Sequence, residues 1–257
     1  MAELNGRPVT LAELQALALT NYGHFTSMRV ENGRTRGLPL HLARLARDCQ
    51  ALFGVDLDLD RVRTFARQAL PPVGESVLRV TVFDPALDLN HIGGDAQPQI
   101  LVTSRPAGPM PLPPLRVRSV VHTRDLAAVK SVGLVGQLRH RREAQRTGFD
   151  DALFTDSDAV VSEGGTWNVG FVRDDQVIWP DADCLCGTTM ELLRQVRPST
   201  TTTVRLPDLA AFDAAFATNV GIGVRSISAV DGLPFPDTHP VVEELRKLYT
   251  ELPDDLI

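Results

Sequence analysis

The chain has 257 residues, 43% of them hydrophobic, with 26 basic and 32 acidic side chains and a formal net charge of −6. That length holds one large domain or two small ones, and the apolar fraction excludes an intrinsically disordered chain. The mild acidic excess argues against a nucleic-acid surface held by bulk charge, although it leaves room for a local basic pocket. No apolar run reaches membrane-spanning length, so no membrane partner is expected. Met1 to Gly6 show no basic segment leading into an apolar core, so no signal peptide is expected and the location expected is cytoplasmic. The three cysteines, Cys49, Cys184 and Cys186, are odd in number and have no zinc-like spacing. They read as buried thiols, with no metal site.

In chain order, Phe25 to Val30 and Arg36 to Leu40 predict a hairpin across Asn32-Gly33, a strong turn signal. Leu42, Leu45, Cys49 and Leu52 recur at helical spacing, so a helix is expected over 41–53. A second is expected over 59–70, stopped by Pro71-Pro72. Alternation over 77–83 and 100–103 predicts strands. Five prolines between Pro106 and Pro114 then suit neither a helix nor a central strand. A linker is placed near 105–114, separating a domain of residues 1–107 from one of 108–257. Beyond it the pattern predicts a strand over 115–122, a helix over 134–147, and strands near 151–155, 160–162, 167–172 and 177–179. Helices follow near Gly187 and His239, with strands over 202–206, 214–218 and 224–229. The reading is two α+β domains, and a groove where domains meet is a favoured place for a small-molecule site.

Four short stretches could carry chemistry. Lys130 sits in Ala-Ala-Val-Lys-Ser-Val-Gly-Leu. Apolar neighbours either let it snorkel to water or lower its pKa enough to free the amine for Schiff-base chemistry. Glu163, after a strand and before Gly164-Gly165, is either a solvated turn residue or the partner of a pyridine nitrogen. Gly187-Thr188-Thr189 opens a helix, by ordinary capping or to bind phosphate with free N–H groups. Arg44, within Leu40 to Leu45, is either surface-paired or enclosed with an anion.

Order and spacing join these signals. Gly23-His24-Phe25-Thr26-Ser27-Met28-Arg29-Val30, then Gly33 and His41-Leu42-Ala43-Arg44-Leu45, make the first block. Lys130 with Gly148 to Leu153, Ser162-Glu163-Gly164 with Asn168, Gly187-Thr188-Thr189, and Ala217 to Gly221 with Val230-Asp231-Gly232 make the others. From about Asn21 to Gly232 the chain resembles the class IV aminotransferases, the fold-type IV pyridoxal-phosphate enzymes. They include branched-chain and D-amino-acid aminotransferases, (R)-amine transaminases and 4-amino-4-deoxychorismate lyases. The resemblance implies an α+β fold of two domains, a smaller N-terminal α/β domain and a larger C-terminal mixed β domain, with pyridoxal 5′-phosphate at their interface. It implies a homodimer.

It also implies roles. Lys130 holds the cofactor as a Schiff base and moves the substrate proton. Arg44, Gly187, Thr188, Thr189, Thr218 and Asn219 serve the phosphate, Glu163 the ring nitrogen, and Asn168, in the same carboxylate loop, also binds the cofactor. Two departures stand out. Leu17 to Tyr22 replaces an Asp-Arg-Gly-like segment, and Asn219-Val220-Gly221 replaces a later threonine position. The function expected is transfer of an amino group from a D-amino acid or (R)-amine to a 2-oxo acid, with Tyr22 and Trp167 shaping the pocket. The alternative is a 4-amino-4-deoxychorismate lyase releasing pyruvate and 4-aminobenzoate. It rests on Phe25-Thr26-Ser27, where Thr26 would assist proton transfer, and on Thr218-Asn219. Arg29, Arg105 and Arg124 are the candidate cations for a substrate carboxylate.

Overall fold

The computed structural model describes residues 2–71 and 74–257. Met1 and Pro72, used above in the leader and helix-stop readings, lie outside the described residues. The chain divides into two compact units. The first comprises Met1–Gly108, Val129–Gly133 and Pro253–Ile257, and the second Pro109–Ala128 and Leu134–Leu252.

The first unit is built on an antiparallel sheet. Its strands are β1 (Ala2–Leu4), β2 (Arg7–Pro8), β3 (His24–Glu31), β4 (Arg34–Arg36), β5 (Glu75–Phe83) and β6 (Gln99–Pro106), and the terminal strand Asp254–Leu256 pairs with β4. Glu31 faces Arg34 across the turn. Asn32 and Gly33 both take positive φ, 49° and 77°, which a two-residue type I′ hairpin requires. The second arm is β4, not 36–40. Gly37 turns the chain at φ 69°, and α2 (Leu38–Phe53) starts there with Pro39 in its first turn, where proline is well tolerated.

Helix α1 (Leu11–Thr20), absent from the sequence reading, has a capping box of Thr10 and Glu13. Helix α3 (Leu59–Gln68) is capped by Asp58. Met28, Val30, Leu78, Val80 and Val102 from the strands pack with Leu45 and Cys49 of α2 and Val62 and Ala66 of α3. Period-two alternation therefore turns the even-numbered residues of β3 toward the helices and leaves Phe25, Ser27 and Arg29 on the other face. The segment Val129–Gly133 runs antiparallel beside the start of β3. Phe25 N–H donates to Lys130 O at 2.9 Å and Val132 N–H to Gly23 O at 3.0 Å.

His24 is fully buried, and neither ring nitrogen has a hydrogen-bond partner among the described residues. Burial pulls its pKa from 6.5 to about 4. A depressed histidine pKa means that the unfolded chain takes up the proton first. The stability it lends is complete above pH 6.5 and falls away as the pH drops toward 4, by about 3 kcal/mol. In acid-unfolding experiments His24→Phe should flatten that segment of the stability curve relative to the parent chain. Equal slopes would mean that His24 titrates normally.

The second unit contains β7 (Leu115–Val121), α4 (Val135–Arg146), β8 (Asp151–Thr155), β9 (Val161–Gly164), β10 (Asn168–Arg173), β11 (Gln176–Pro180), α5 (Thr188–Val196), β12 (Ser199–Thr202), β13 (Ala214–Asn219), β14 (Gly223–Val230), β15 (Leu233–Pro234) and α6 (Pro240–Glu251). The strand expected over 202–206 lies earlier, as β12, and Leu206–Ala211 forms a 3-10 turn that begins with Leu206-Pro207. Six strands close on themselves in the order β10-β13-β14-β7-β8-β9, because β9 pairs back onto β10 at Glu163 and Asn168. Each contributes to one core cluster: Val169, Ala217, Ile227, Val117, Leu153 and Val161. Closure removes sheet edges. Here it also sets Glu163 and Asn168 side by side at the seam.

Among the described residues no helix is long and apolar enough to cross a membrane, and no cluster of histidine, cysteine and acidic residues could hold a metal ion.

Candidate active site

In the first unit the chemistry gathers around the start of β3. The Lys130 Nζ lies 4.9 Å from the centre of the Phe25 ring. The backbone of Lys130 is fixed at both ends, since its carbonyl accepts from Phe25 and its N–H donates to Asp48 Oδ2 at 2.9 Å. Helix α2 presents His41, Arg44 and Asp48 at i, i+3 and i+7, and all three are buried. Arg44 Nη2 donates to Thr26 Oγ1. Thr26 Oγ1 also lies 2.7 Å from His41 Nδ1. Because the threonine oxygen receives the arginine proton, its own hydrogen goes to the imidazole. His41 can accept it because burial, reinforced by the charges of Arg44 and Lys130, holds its pKa well below 6.5.

The other positions drawn from the sequence fall as follows. The Tyr22 hydroxyl donates to Leu52 O at 2.6 Å, and the ring stacks edge-on against Phe53. Arg29 is paired with Glu75 and donates to Gly108 O at 2.9 Å. Arg105 is exposed and donates to Pro106 O. The sequence reading missed Arg79. Its guanidinium lies 3.6 Å from the centre of the same Phe25 ring that carries Lys130, with Nε on Thr81 Oγ1 at 3.1 Å. Burial lowers its pKa, and among the described residues its contacts are the Phe25 ring and the Thr81 hydroxyl, neither of them an anion. One arginine within the apolar run Val77 to Phe83 was the available signal.

In the second unit Glu163 is buried at the barrel seam. Its Oε1 takes Arg124 Nη1 at 3.0 Å, and Oε2 accepts from Leu185 N–H at 3.4 Å. Asn168 donates to Leu185 O at 2.7 Å. A Cβ at Gly187 would sit 2.2 Å from Asn168 Oδ1, so any side chain there would push the Asn168 amide from its place at the seam. Thr188 and Thr189 fill the first turn of α5, whose N–H groups have no acceptor within the helix. Among the described residues, the buried hydroxyls of Thr189 and, on β13, Thr218 meet no hydrogen-bond partner. Two buried, unsatisfied hydroxyls are costly unless a ligand meets them. Asn219 ties the next turn, donating to Thr166 O at 2.9 Å and accepting from Gly221 at 2.7 Å.

Trp167 belongs to the core, with Nε1 on Asp151 Oδ2 at 2.8 Å. Burial pushes the Cys184 thiol up to about 11 and the Cys186 thiol up to about 12, so neither is a ready thiolate.

In the first unit a lysine amine lies by an aromatic ring; in the second, a buried carboxylate and a helix N-terminus with vacant hydroxyls are features that a phosphorylated pyridine can use. The chain belongs to the class IV aminotransferase family, whose pattern matches residues 23–230, and pyridoxal 5′-phosphate is the cofactor of that class.

A probable branched-chain-amino-acid aminotransferase of Rickettsia felis is 24% identical over 88% of this chain and 84% of its own. Among solved structures, the pyridoxal-phosphate-bound form of a hypothetical aminotransferase from Mycobacterium tuberculosis superposes with a TM-score of 0.82 at 21% identity, over 97% of each chain. The 4-amino-4-deoxychorismate lyase of Pseudomonas aeruginosa gives 0.81 at 23% identity, over 98% of this chain and 99% of its own. These likenesses fix the fold and leave the particular reaction to the residues.

Proposed function

We propose that this chain is an aminotransferase that moves an amino group from an amino acid to a 2-oxo acid, with D-amino acids and (R)-amines the donors first inferred from the sequence. The observation that carries the reading is Lys130. Of the 26 basic residues only Lys130 and Lys247 are lysines. Lys247 is a largely exposed surface residue near Glu251. A chain that uses arginine nearly everywhere keeps lysine where arginine cannot serve, since guanidinium never gives up its proton and an amine can.

The bound cofactor supplies an aldehyde to capture the amine and a ring to take up the electron pair released at the substrate carbon. The protein supplies the rest. Lys130 would form the covalent link and carry the proton to and from the substrate α-carbon. Glu163 would hold the ring-nitrogen proton, with Asn168 and Leu185 fixing its loop. Arg44, Thr188, Thr189 and Thr218 would hold the phosphate, with Asn219 shaping the adjacent turn.

Arg79 supports amino acids over plain amines, because a desolvated guanidinium without an internal anion suits a substrate carboxylate. The relatives named for branched-chain substrates add valine, leucine and isoleucine to the donors worth testing. The lyase reading needs Thr26 to carry a proton. Here its hydroxyl is already committed, accepting from Arg44 and donating to His41 Nδ1, and so is not free to shuttle a proton. That favours the aminotransferase. A homodimer in the cytoplasm is part of the same proposal. Val121, Leu126 and Val135 are exposed apolar side chains that a second copy would cover.

The test is a panel of D-amino acids, branched-chain amino acids and (R)-amines mixed with cofactor-loaded protein without any oxo acid. A donor that bleaches the yellow band and appears as its 2-oxo product establishes the aminotransferase. A silent panel, with pyruvate and 4-aminobenzoate formed from aminodeoxychorismate, moves the assignment to the lyase. Arg79→Gln should raise KM for amino acids roughly 10- to 100-fold, the worth of a charged hydrogen bond, and leave amines unaffected.

A further inference from the structure

We infer that Asp48 is the positioning residue for Lys130; the inference rests on the proposal above that Lys130 carries the cofactor. Asp48 has no exposed surface. A carboxylate in that state needs donors on both oxygens. Oδ1 takes Nε and Nη2 of Arg47 at 3.1 and 2.9 Å. Oδ2 takes the backbone N–H of Lys130 at 2.9 Å, reaching across 82 residues of sequence.

Arg47 is half-exposed and serves as the solvent-facing counter-ion. The other oxygen is committed to one peptide group, that of the reactive lysine. Phe25 holds the carbonyl side of Lys130, so the main chain is clamped on both flanks and only the side chain is left to move.

The clamp has a second consequence. Arg44 and Asp48 lie one turn apart on the buried face of α2. One rigid helix therefore sets the backbone of the Schiff-base lysine and, four residues earlier, the guanidinium assigned to the phosphate. Catalytic groups on one stiff element keep their spacing better than groups on separate loops. Asp48 acts through Lys130 and touches no substrate atom.

Two variants of equal shape separate hydrogen bonding from packing. Asp48→Asn keeps an oxygen for the Lys130 N–H, and Arg47 can turn to water. Asp48→Leu fills the space but offers no acceptor. The readouts are thermal melting, amide hydrogen exchange at Lys130, and the rate at which pyridoxal phosphate becomes fixed to Lys130 on borohydride reduction.

Asp48→Asn should stay within about twofold of the parent in fixation rate, while Asp48→Leu, melting cooperatively, slows it roughly tenfold, as small misplacement of a reacting group does. Asp48→Leu fixing the cofactor at the parent rate would overturn the proposal. If Asp48→Leu does not fold, exchange decides. A protected Lys130 amide in the parent and in Asp48→Asn supports the clamp, and exchange at the open-chain rate refutes it. Cofactor fixed only on Lys247 in the parent refutes the assignment of Lys130 itself, a result distinct from equal rates on Lys130.

Discussion

Lys130→Arg yields a folded but colourless protein whose transfer activity falls by roughly four orders of magnitude, the upper range for loss of a positioned acid–base group. The substitution keeps the positive charge over the Phe25 ring and leaves the backbone bonds to Phe25 and Asp48 in place. What it removes is an amine that can lose its proton. The melting temperature should therefore stay near that of the parent while the visible band disappears. An arginine variant that stays yellow, or retains more than about a tenth of the turnover, would detach Lys130 from the chemistry.

Glu163→Gln has a twofold effect. The carboxylate and Arg124 form an ion pair in which both side chains are about nine-tenths buried. Removing the carboxylate charge takes away the ion pair that balances a buried guanidinium, which costs about 3 kcal/mol even when the shape is kept. Turnover should drop by roughly 10²- to 10³-fold, the usual cost of losing one preorganised electrostatic contact.

The two effects can be separated. Adding Arg124→Gln removes the buried cation that the carboxylate balances, so the double variant should recover most of the stability and none of the turnover. Melting curves and steady-state rates on the three proteins check this. Recovery of activity in the double variant would show that the carboxylate acts only as Arg124's counter-ion.

Local signals carried much of the secondary structure. Asn32-Gly33 announced its hairpin because two successive positive φ angles select those residues. The helical spacing of Leu42, Leu45 and Cys49 announces α2, and Pro39 in its first turn moves its start to Leu38, three residues before His41. Thr10 and Glu13 were a readable capping box that introduced α1. Strand β12 was misplaced because Thr202 to Leu206 carries the same β-branched character as the residues before it, and only pairing with β11 selects 199–202.

The site divides in the same way. Lys130, Glu163 and Gly187 to Thr189 are weak signals one at a time and become legible through the order and spacing of their blocks. Their partners do not. Asp48 meets Lys130 across 82 positions and Arg124 meets Glu163 across 39, and no local pattern encodes such distances. Closure of the second sheet at Glu163 and Asn168 is likewise a property of topology. Arg79 shows the opposite failure. It was visible as a lone cation in an apolar strand, but its meaning needed the ring of Phe25 beside it.

The most direct measurement is chemical and needs no substrate. Wild-type protein loaded with pyridoxal phosphate is reduced with borohydride, digested and mapped by mass. The chain offers two lysines, so the answer is close to binary. The modification on Lys130, with Lys247 unlabelled, is the result predicted. Labelling of Lys247 alone, or of neither lysine in a protein that melts cooperatively, would contradict the assignment of this chain's chemistry to Lys130.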